Sequence, residues 1–122
     1  MENFKCYYYK TKEGKSPVEE FIDSLDKKTQ LKFFYKKELL EEFGHKLPSP
    51  HAKYIGDNIF ELRFKGIEGQ IRVLYFFFYK NTIIFTNGFI KKTKKIPKRE
   101  KQVAINRRKE FLERMKKRGD RK

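Results

Sequence analysis

The feature that most constrains this sequence is a pair of apolar, strand-like segments that each carry an arginine. Residues 60–64 and 71–75 flank a glycine-rich turn at 66–69, so they are predicted to pair as antiparallel strands. Symmetric closure of the turn places Arg63 directly opposite Arg72, where like charges repel. A guanidinium inside a strand is also costly without a partner. Because folding alone gives little reason for such a pair, the sequence indicates that it binds a polyanion.

A small, mainly antiparallel sheet is predicted in the middle of the chain. Its strands are expected at roughly 58–65, 70–79 and 82–90, with a tight turn at 80–81 joining the last two. The segment 70–79 is apolar on both faces, as a central strand should be. An aromatic segment near the N-terminus predicts one further strand.

The expected register gathers basic side chains on one face of this sheet. Arg72 then pairs with Phe89 and shares a face with Arg63 and Lys91, because alternate residues of a strand point the same way. We expect that face to be uncovered. A shift of one residue in the pairing would move these side chains to opposite sides.

Two amphipathic helices are predicted before the sheet. Ser16, Pro17 and Glu19 fit a capping box with proline at the first helical position. Asp26 is expected to cap the second helix, and Gly44 to end it. The apolar side chains expected to face the sheet are Val18, Phe21, Ile22 and Leu25 in the first helix and Leu31, Phe34, Tyr35, Leu39, Leu40 and Phe43 in the second.

The basic charge is concentrated near the C-terminus. The chain has 122 residues, enough for a single domain over 1–122, and a net charge of +15, of which residues 90–122 carry +12. A basic helix is predicted there at 97–118. The order of elements predicts an α+β fold, in which the helical pair covers one face of the sheet and the basic helix follows it. The charge predicts a phosphate-rich partner.

Several classes of function are disfavoured by what the sequence lacks. The single cysteine, Cys6, excludes an internal disulfide and suits the cytoplasm. No apolar run approaches the ~20 residues that a bilayer requires, so no membrane partner is expected. The acidic residues are scattered and there are only two histidines, so we expect no metal and no cofactor. Metal-dependent nucleases and nucleotide hydrolases fit poorly.

RNA cleavage can proceed without a metal, because the ribose 2′-OH supplies the nucleophile. The protein must then stabilise the phosphoryl oxygens and move two protons. Arg63 and Arg72 suit the first task, since arginine stays charged and grips phosphate bidentately. A lysine among many cations gives up its proton more readily, so Lys91 or Lys92 is a candidate acid or base. Glu61 could act as a base, although pairing with Arg63 is favoured.

Residues 54–109 resemble the RelE/ParE superfamily of type II toxins, and most closely its HigB-like branch. The matching segments are Phe60-Glu61-Leu62-Arg63, Gln70-Ile71-Arg72-Val73-Leu74-Tyr75, Gly88-Phe89-Ile90-Lys91-Lys92-Thr93, and Pro97 through Ala104 and Arg108. The resemblance implies a RelE-like compact fold and an mRNA interferase that cuts translated mRNA on the ribosome. It also implies a helix-turn-helix antitoxin of the HigA type as the partner that silences it.

The resemblance also implies which residues form the site. It gives Arg63, Arg72, Lys91 and Lys92 as catalytic positions and His51 and Lys53 as RNA-binding positions. We expect Lys94 and Lys95, from the lysine cluster that follows β-strand residues 82–90, to bind RNA as well. Some relatives place a tyrosine or histidine near the C-terminus that stacks on a base or shares proton transfer. Nothing after Tyr79 is Tyr or His in this chain, so that role is unfilled or has moved.

Two alternatives stay open at this point. ParE-like members of the same superfamily poison DNA gyrase through protein contacts and do not cut RNA, although the lysine cluster argues against that activity. A non-enzymatic basic protein that coats nucleic acid would bind with a steep salt dependence and without cleavage.

Overall fold

Five strands and three helices make up the computed structural model, which describes residues 3–119. In chain order they are β1 (Lys5–Tyr8), α1 (Pro17–Asp23), α2 (Lys27–Phe43), a 3-10 turn (Gly44–Lys46), β2 (Ala52–Gly56), β3 (Ile59–Gly66), β4 (Gly69–Phe78), β5 (Thr82–Lys91) and α3 (Lys98–Gly119). The strands form one sheet in the order β1-β5-β4-β3-β2, in which only β1 and β5 run parallel. The α+β class and the mainly antiparallel pairing are confirmed.

One strand, β2, was not anticipated from the sequence. Ala52 faces the core, whereas Lys53 and Tyr54 are both exposed, so the segment lacks the alternation that marks a half-buried strand. A bulge between Tyr54 and Gly56 interrupts its pairing with β3 as well. β2 forms one edge of the sheet, and this position becomes important for the site described below.

Helices cover both faces of the sheet. The face towards α1 and α2 carries the larger core, in which Val18, Ile22, Phe33, Leu40, Leu62, Phe64, Ile71, Val73, Tyr75, Ile83 and Phe85 are buried. The opposite face packs on α3 through Tyr9, Ile59, Leu74, Phe76, Ile84, Phe89 and Ala104. The expectation that the arginine-bearing face is uncovered was therefore wrong for the part that α3 occupies. None of the helices within residues 3–119 is both long and apolar enough to cross a bilayer.

The predicted helix caps are confirmed in part. Asp26 caps α2, because its side chain accepts a hydrogen bond from the backbone N–H of Lys28 at 3.0 Å. Gly44 ends the same helix at a positive φ of 52°, a conformation that glycine adopts readily. Ser16 occupies the N-cap position of α1, but its side chain makes no capping bond and its buried Oγ has no partner within the described residues. The capping box expected at Ser16 was wrong.

The face that α2 turns to the sheet differs from the predicted stripe. Thr29, Phe33 and Leu40 are the buried residues of this helix, whereas Leu31 is 68% exposed, and Phe34, Tyr35 and Phe43 are exposed as well. Hydrogen bonds at the start of the helix account for this rotation. The hydroxyl of Thr29 donates to Glu68 Oε1 at 2.8 Å, and the N–H of Asp26 donates to Glu68 Oε2 at 2.6 Å. Because Glu68 belongs to the β3–β4 turn, these bonds tie the first turn of α2 to the sheet.

The strand register that aligns the arginines is as predicted. Arg63 pairs with Arg72 across β3 and β4, and Arg72 pairs with Phe89 across β4 and β5. The β4–β5 turn has three residues, 79–81, rather than the two expected, and the resulting shift is cancelled by a bulge at Thr86. The guanidinium of Arg107 on α3 donates to the carbonyl of Thr86 at 2.8 Å, so the C-terminal helix holds the bulge in place.

The orientation of α2 predicts opposite outcomes for two leucines of the same helix. Leu40→Ala removes a fully buried side chain and should lower the free energy of unfolding by about 2–5 kcal/mol. Leu31→Ala is the matched control and should change it by less than about 0.5 kcal/mol. Urea unfolding followed by circular dichroism measures both. Equal losses in the two variants would contradict the observed helix orientation.

Candidate nucleic-acid interface

An open cavity of about 480 Å³ lies where β2, β3 and the end of β5 meet the loop that leads into α3. Six of its lining side chains are basic and one is acidic. The residues that line it are Lys53, Tyr54, Ile55, Glu61, Arg63, Lys91, Lys94, Lys95, Ile96 and Lys101. We call this site the cationic cavity. It contains five of the eight residues predicted from the sequence: Lys53, Arg63, Lys91, Lys94 and Lys95.

Strand pairing brings these side chains together from distant parts of the chain. Lys53 pairs with Glu61, which lies two residues before Arg63, so all three point to the same face of the sheet. Lys91 pairs with Gln70, two residues before Arg72, and reaches the same side across β4. The loop after β5 adds the remaining lysines, and a hydrogen bond of 2.8 Å from the Thr93 hydroxyl to the carbonyl of Lys95 fixes its shape.

Most of the positive charge in the cationic cavity is uncompensated. Among the described residues, no carboxylate lies within ion-pair distance of Lys53, Lys91, Lys94 or Lys95. Lys101 differs, because its ammonium group is 3.0 Å from Asp57 Oδ2. Like charges held this close together repel, and an anion bound among them would relieve that repulsion.

A single buried carboxylate, Glu61, lies between the two strand arginines. The Nε of Arg63 is 3.4 Å from Glu61 Oε1, and the Nε of Arg72 is 3.7 Å from Glu61 Oε2. Glu61 is 1% exposed. The pairing of Glu61 with Arg63 is as favoured from the sequence, but Glu61 also pairs with Arg72. This carboxylate corrects the earlier view that folding gives little reason for the arginine pair, since it compensates the charge that the strands bury.

The two arginines occupy different environments. Arg72 is only 5% exposed, and its Nη1 donates to the backbone carbonyl of Ile71 at 2.9 Å. Burial lowers the pKa of its guanidinium; Glu61 opposes that shift and Arg63 adds to it. Arginine nevertheless stays charged at neutral pH. Arg63 is 28% exposed at its side chain and lines the cationic cavity, whereas Arg72 does not line it. Arg63 is thus the arginine within reach of a phosphate in this cavity.

Three of the predicted site residues lie outside the cationic cavity. Arg72 is buried, as described above. Lys92 is exposed at the end of β5 but does not line the cavity. His51 lies before β2, where its Nδ1 is 2.6 Å from the ammonium group of Lys36 on α2. A lysine ammonium only donates hydrogen bonds, so this contact makes His51 Nδ1 the acceptor.

Five residues of the cationic cavity were not among the predicted site residues: Tyr54, Ile55, Glu61, Ile96 and Lys101. The signal for Tyr54 was its position next to Lys53, since a basic residue followed by an aromatic one is a common feature of nucleic-acid-binding surfaces. Lys101 carried no signal of its own among the many charges of the final helix. Within residues 3–119, no group of three or more His, Cys, Asp or Glu side chains is arranged to hold a metal ion.

The Glu61 arrangement predicts a specific pattern of stability. Glu61→Ala leaves the buried Arg72 charge unpaired and should reduce the free energy of unfolding by on the order of 3–5 kcal/mol. The double variant Glu61→Leu/Arg72→Met removes both charges and should recover most of that loss. Urea unfolding measures each variant, with Glu113→Ala, an exposed position on α3, as the control. A double variant no more stable than Glu61→Ala would show that charge compensation is not what Glu61 contributes.

A family model matches most of this chain. Residues 20–109, about three quarters of the chain, match the family model described as phage-derived protein Gp49-like (DUF891). The matched segment includes every strand except β1, and with them all ten residues that line the cationic cavity. None of the curated proteins matches the chain. The chain therefore belongs to the Gp49-like family, a RelE/ParE-like family of toxins from toxin–antitoxin systems.

Proposed function

We propose that this protein is a HigB-like mRNA interferase, an endoribonuclease that cuts translated mRNA on the ribosome in the cytoplasm. The observation that carries the proposal is the cationic cavity, where Arg63 and four lysines without carboxylate partners surround a space open to solvent. Membership of a toxin family supports an activity that harms the cell. Its partner would be a helix-turn-helix antitoxin of the HigA type.

The chemistry begins with the RNA phosphate bound among these cations. The Nε of Arg63 pairs with the Glu61 carboxylate. Among the described residues, no hydrogen bond involves either of the two Nη groups of Arg63. Those groups can grip two phosphoryl oxygens together. The 2′-OH gives up its proton to water in the open cavity and attacks phosphorus, the bond to the 5′ oxygen breaks, and negative charge grows on the oxygens that Arg63 and Lys91 hold.

The remaining residues take supporting roles in this proposal. Of the two lysines proposed as acid or base, Lys91 lines the cavity, so we assign it the proton donated to the departing 5′ oxygen. Glu61 acts as a positioning residue because it pairs with the Nε of Arg63, and Arg72 pairs with the other oxygen of the same carboxylate. Lys53, Lys94 and Lys95 bind flanking phosphates.

Arg63→Ala should abolish most of the toxicity. Loss of a preorganised charged donor at the scissile phosphate should lower the cleavage rate by roughly 10²–10³-fold. Primer extension on mRNA after induction measures the cuts, which we expect within translated reading frames. Arg118→Ala, at the exposed end of α3, is the control with an equal loss of charge and should cut like the wild type.

Measurements of DNA integrity in the same cells, and of RNA binding and cleavage by the purified protein, separate the alternatives. DNA breaks with intact mRNA would indicate a ParE-like gyrase poison. Purified protein that binds RNA without any cleavage, on or off the ribosome, would indicate a basic binding protein. Undiminished cutting by Arg63→Ala would remove the cationic cavity from the mechanism.

The lysines of the β5–α3 loop should affect RNA binding through counterion release. If each neutralises one phosphate, Lys94→Gln/Lys95→Gln should reduce the slope of log affinity against log salt by about 1.4 for single-stranded RNA. Fluorescence anisotropy at several salt concentrations measures the slope. Lys116→Gln/Lys117→Gln removes the same charge at the end of α3 and should leave the slope nearly unchanged. Equal changes in the two double variants would indicate binding by net charge alone.

A further inference from the structure

A second, smaller cavity adjoins the cationic cavity on the other side of β2. Its volume is about 210 Å³, and most of its walls are aromatic. The residues that line it are Gly44, His45, Leu47, Ala52, Lys53, Tyr54, Phe60, Tyr75 and Phe77. We call this space the aromatic cleft. The cleavage chemistry proposed above makes no use of it.

The rings of the aromatic cleft are held in fixed positions. The ring of Tyr54 packs on Phe60 at a centroid distance of 4.8 Å, and its hydroxyl accepts a hydrogen bond from the N–H of Asn58 at 3.1 Å. The ring of His45 stacks on Phe77 at 3.6 Å with an interplanar angle of 23°. Tyr54 is nevertheless 53% exposed, so much of an immobilised ring faces solvent. Rigid, exposed rings of this kind are suited to stacking with a planar ligand.

Two residues connect the aromatic cleft to the cationic cavity. Lys53 and Tyr54 line both of them. Successive side chains of a strand point to opposite faces, and β2 is an edge strand, so these neighbours lie on the two sides of the sheet at its border. A nucleic-acid strand that crosses this border can place a phosphate near Lys53 and a base against Tyr54.

We propose that the aromatic cleft receives one unstacked base of the RNA strand whose phosphate occupies the cationic cavity. The cleft is smaller than the roughly 300–1,000 Å³ of pockets for drug-sized ligands, so it fits a single ring system rather than a whole nucleotide. Five of its nine lining residues carry aromatic rings, and stacking on such rings tolerates any base. This inference rests on RNA as the substrate, but it adds a base-binding subsite on the face of the sheet opposite the phosphate.

The test uses the full chain and a short single-stranded RNA that carries 2-aminopurine, whose fluorescence falls when it stacks. Binding of the wild type should quench the probe. Tyr54→Ala should abolish the quenching and weaken binding by roughly 5- to 100-fold, whereas Tyr54→Phe keeps the ring and should behave like the wild type. Tyr79→Ala removes another exposed tyrosine, 72% exposed in the β4–β5 turn, and is the matched control.

The outcomes distinguish this inference from the proposed function. If Tyr54→Ala quenches and binds like the wild type, the base subsite is wrong, while cleavage that depends on Arg63 would still stand. If Lys94→Gln/Lys95→Gln weakens binding but keeps the quenching at saturation, phosphate and base are held separately, as proposed. If the wild type binds no free RNA, the base subsite is wrong, whereas the proposed function is decided separately by the cuts that primer extension detects in translated mRNA.

Discussion

The bulge at Thr86 is the constraint on which the arrangement of the site depends. Without that extra residue, the three-residue turn at 79–81 would leave Arg72 one position out of line with Phe89. Every side chain of β5 beyond the bulge would then change faces, and Lys91 would leave the cationic cavity. The bulge is held from outside the sheet, since Arg107 binds the carbonyl of Thr86 and the amide of Asn87 donates to Glu100 at 3.0 Å. The basic C-terminal helix thus fixes the register of the strands beneath it.

Glu61 gives the sheet a way to carry two arginines side by side. Its carboxylate lies near both guanidiniums and leaves the three side chains with a net charge of +1. Arg72 is buried, whereas Arg63 is partly exposed. The guanidinium that reaches solvent is therefore that of Arg63, on the side of the four lysines without carboxylate partners. The same carboxylate therefore lowers the cost of folding and holds the exposed guanidinium in place.

The edge strand β2 organises the surface on which the two proposals depend. Lys53 and Tyr54 project to opposite faces at the border of the sheet, and each face offers a different chemistry, cationic on one side and aromatic on the other. A nucleotide also combines these two chemistries, since its phosphate is anionic and its base is aromatic. The aromatic ring exposed on this strand is that of Tyr54.

The sequence alone determined the local structure and the pairings that follow from short-range geometry. Strand-like apolar segments bounded by turn residues predicted β3, β4 and β5, and the symmetric glycine turn correctly predicted Arg63 opposite Arg72. Features that depend on contacts between distant parts of the chain were decided only by the tertiary structure. The alignment of Arg72 with Phe89 was predicted from a wrong turn length and is correct only because a bulge offsets it. Three other features also depend on partners far away in the chain. They are the choice of the buried face of α2, the burial of Arg72 beside Glu61 and the placement of Tyr54. Periodicity reports which residues share a face, but only packing decides which face is covered.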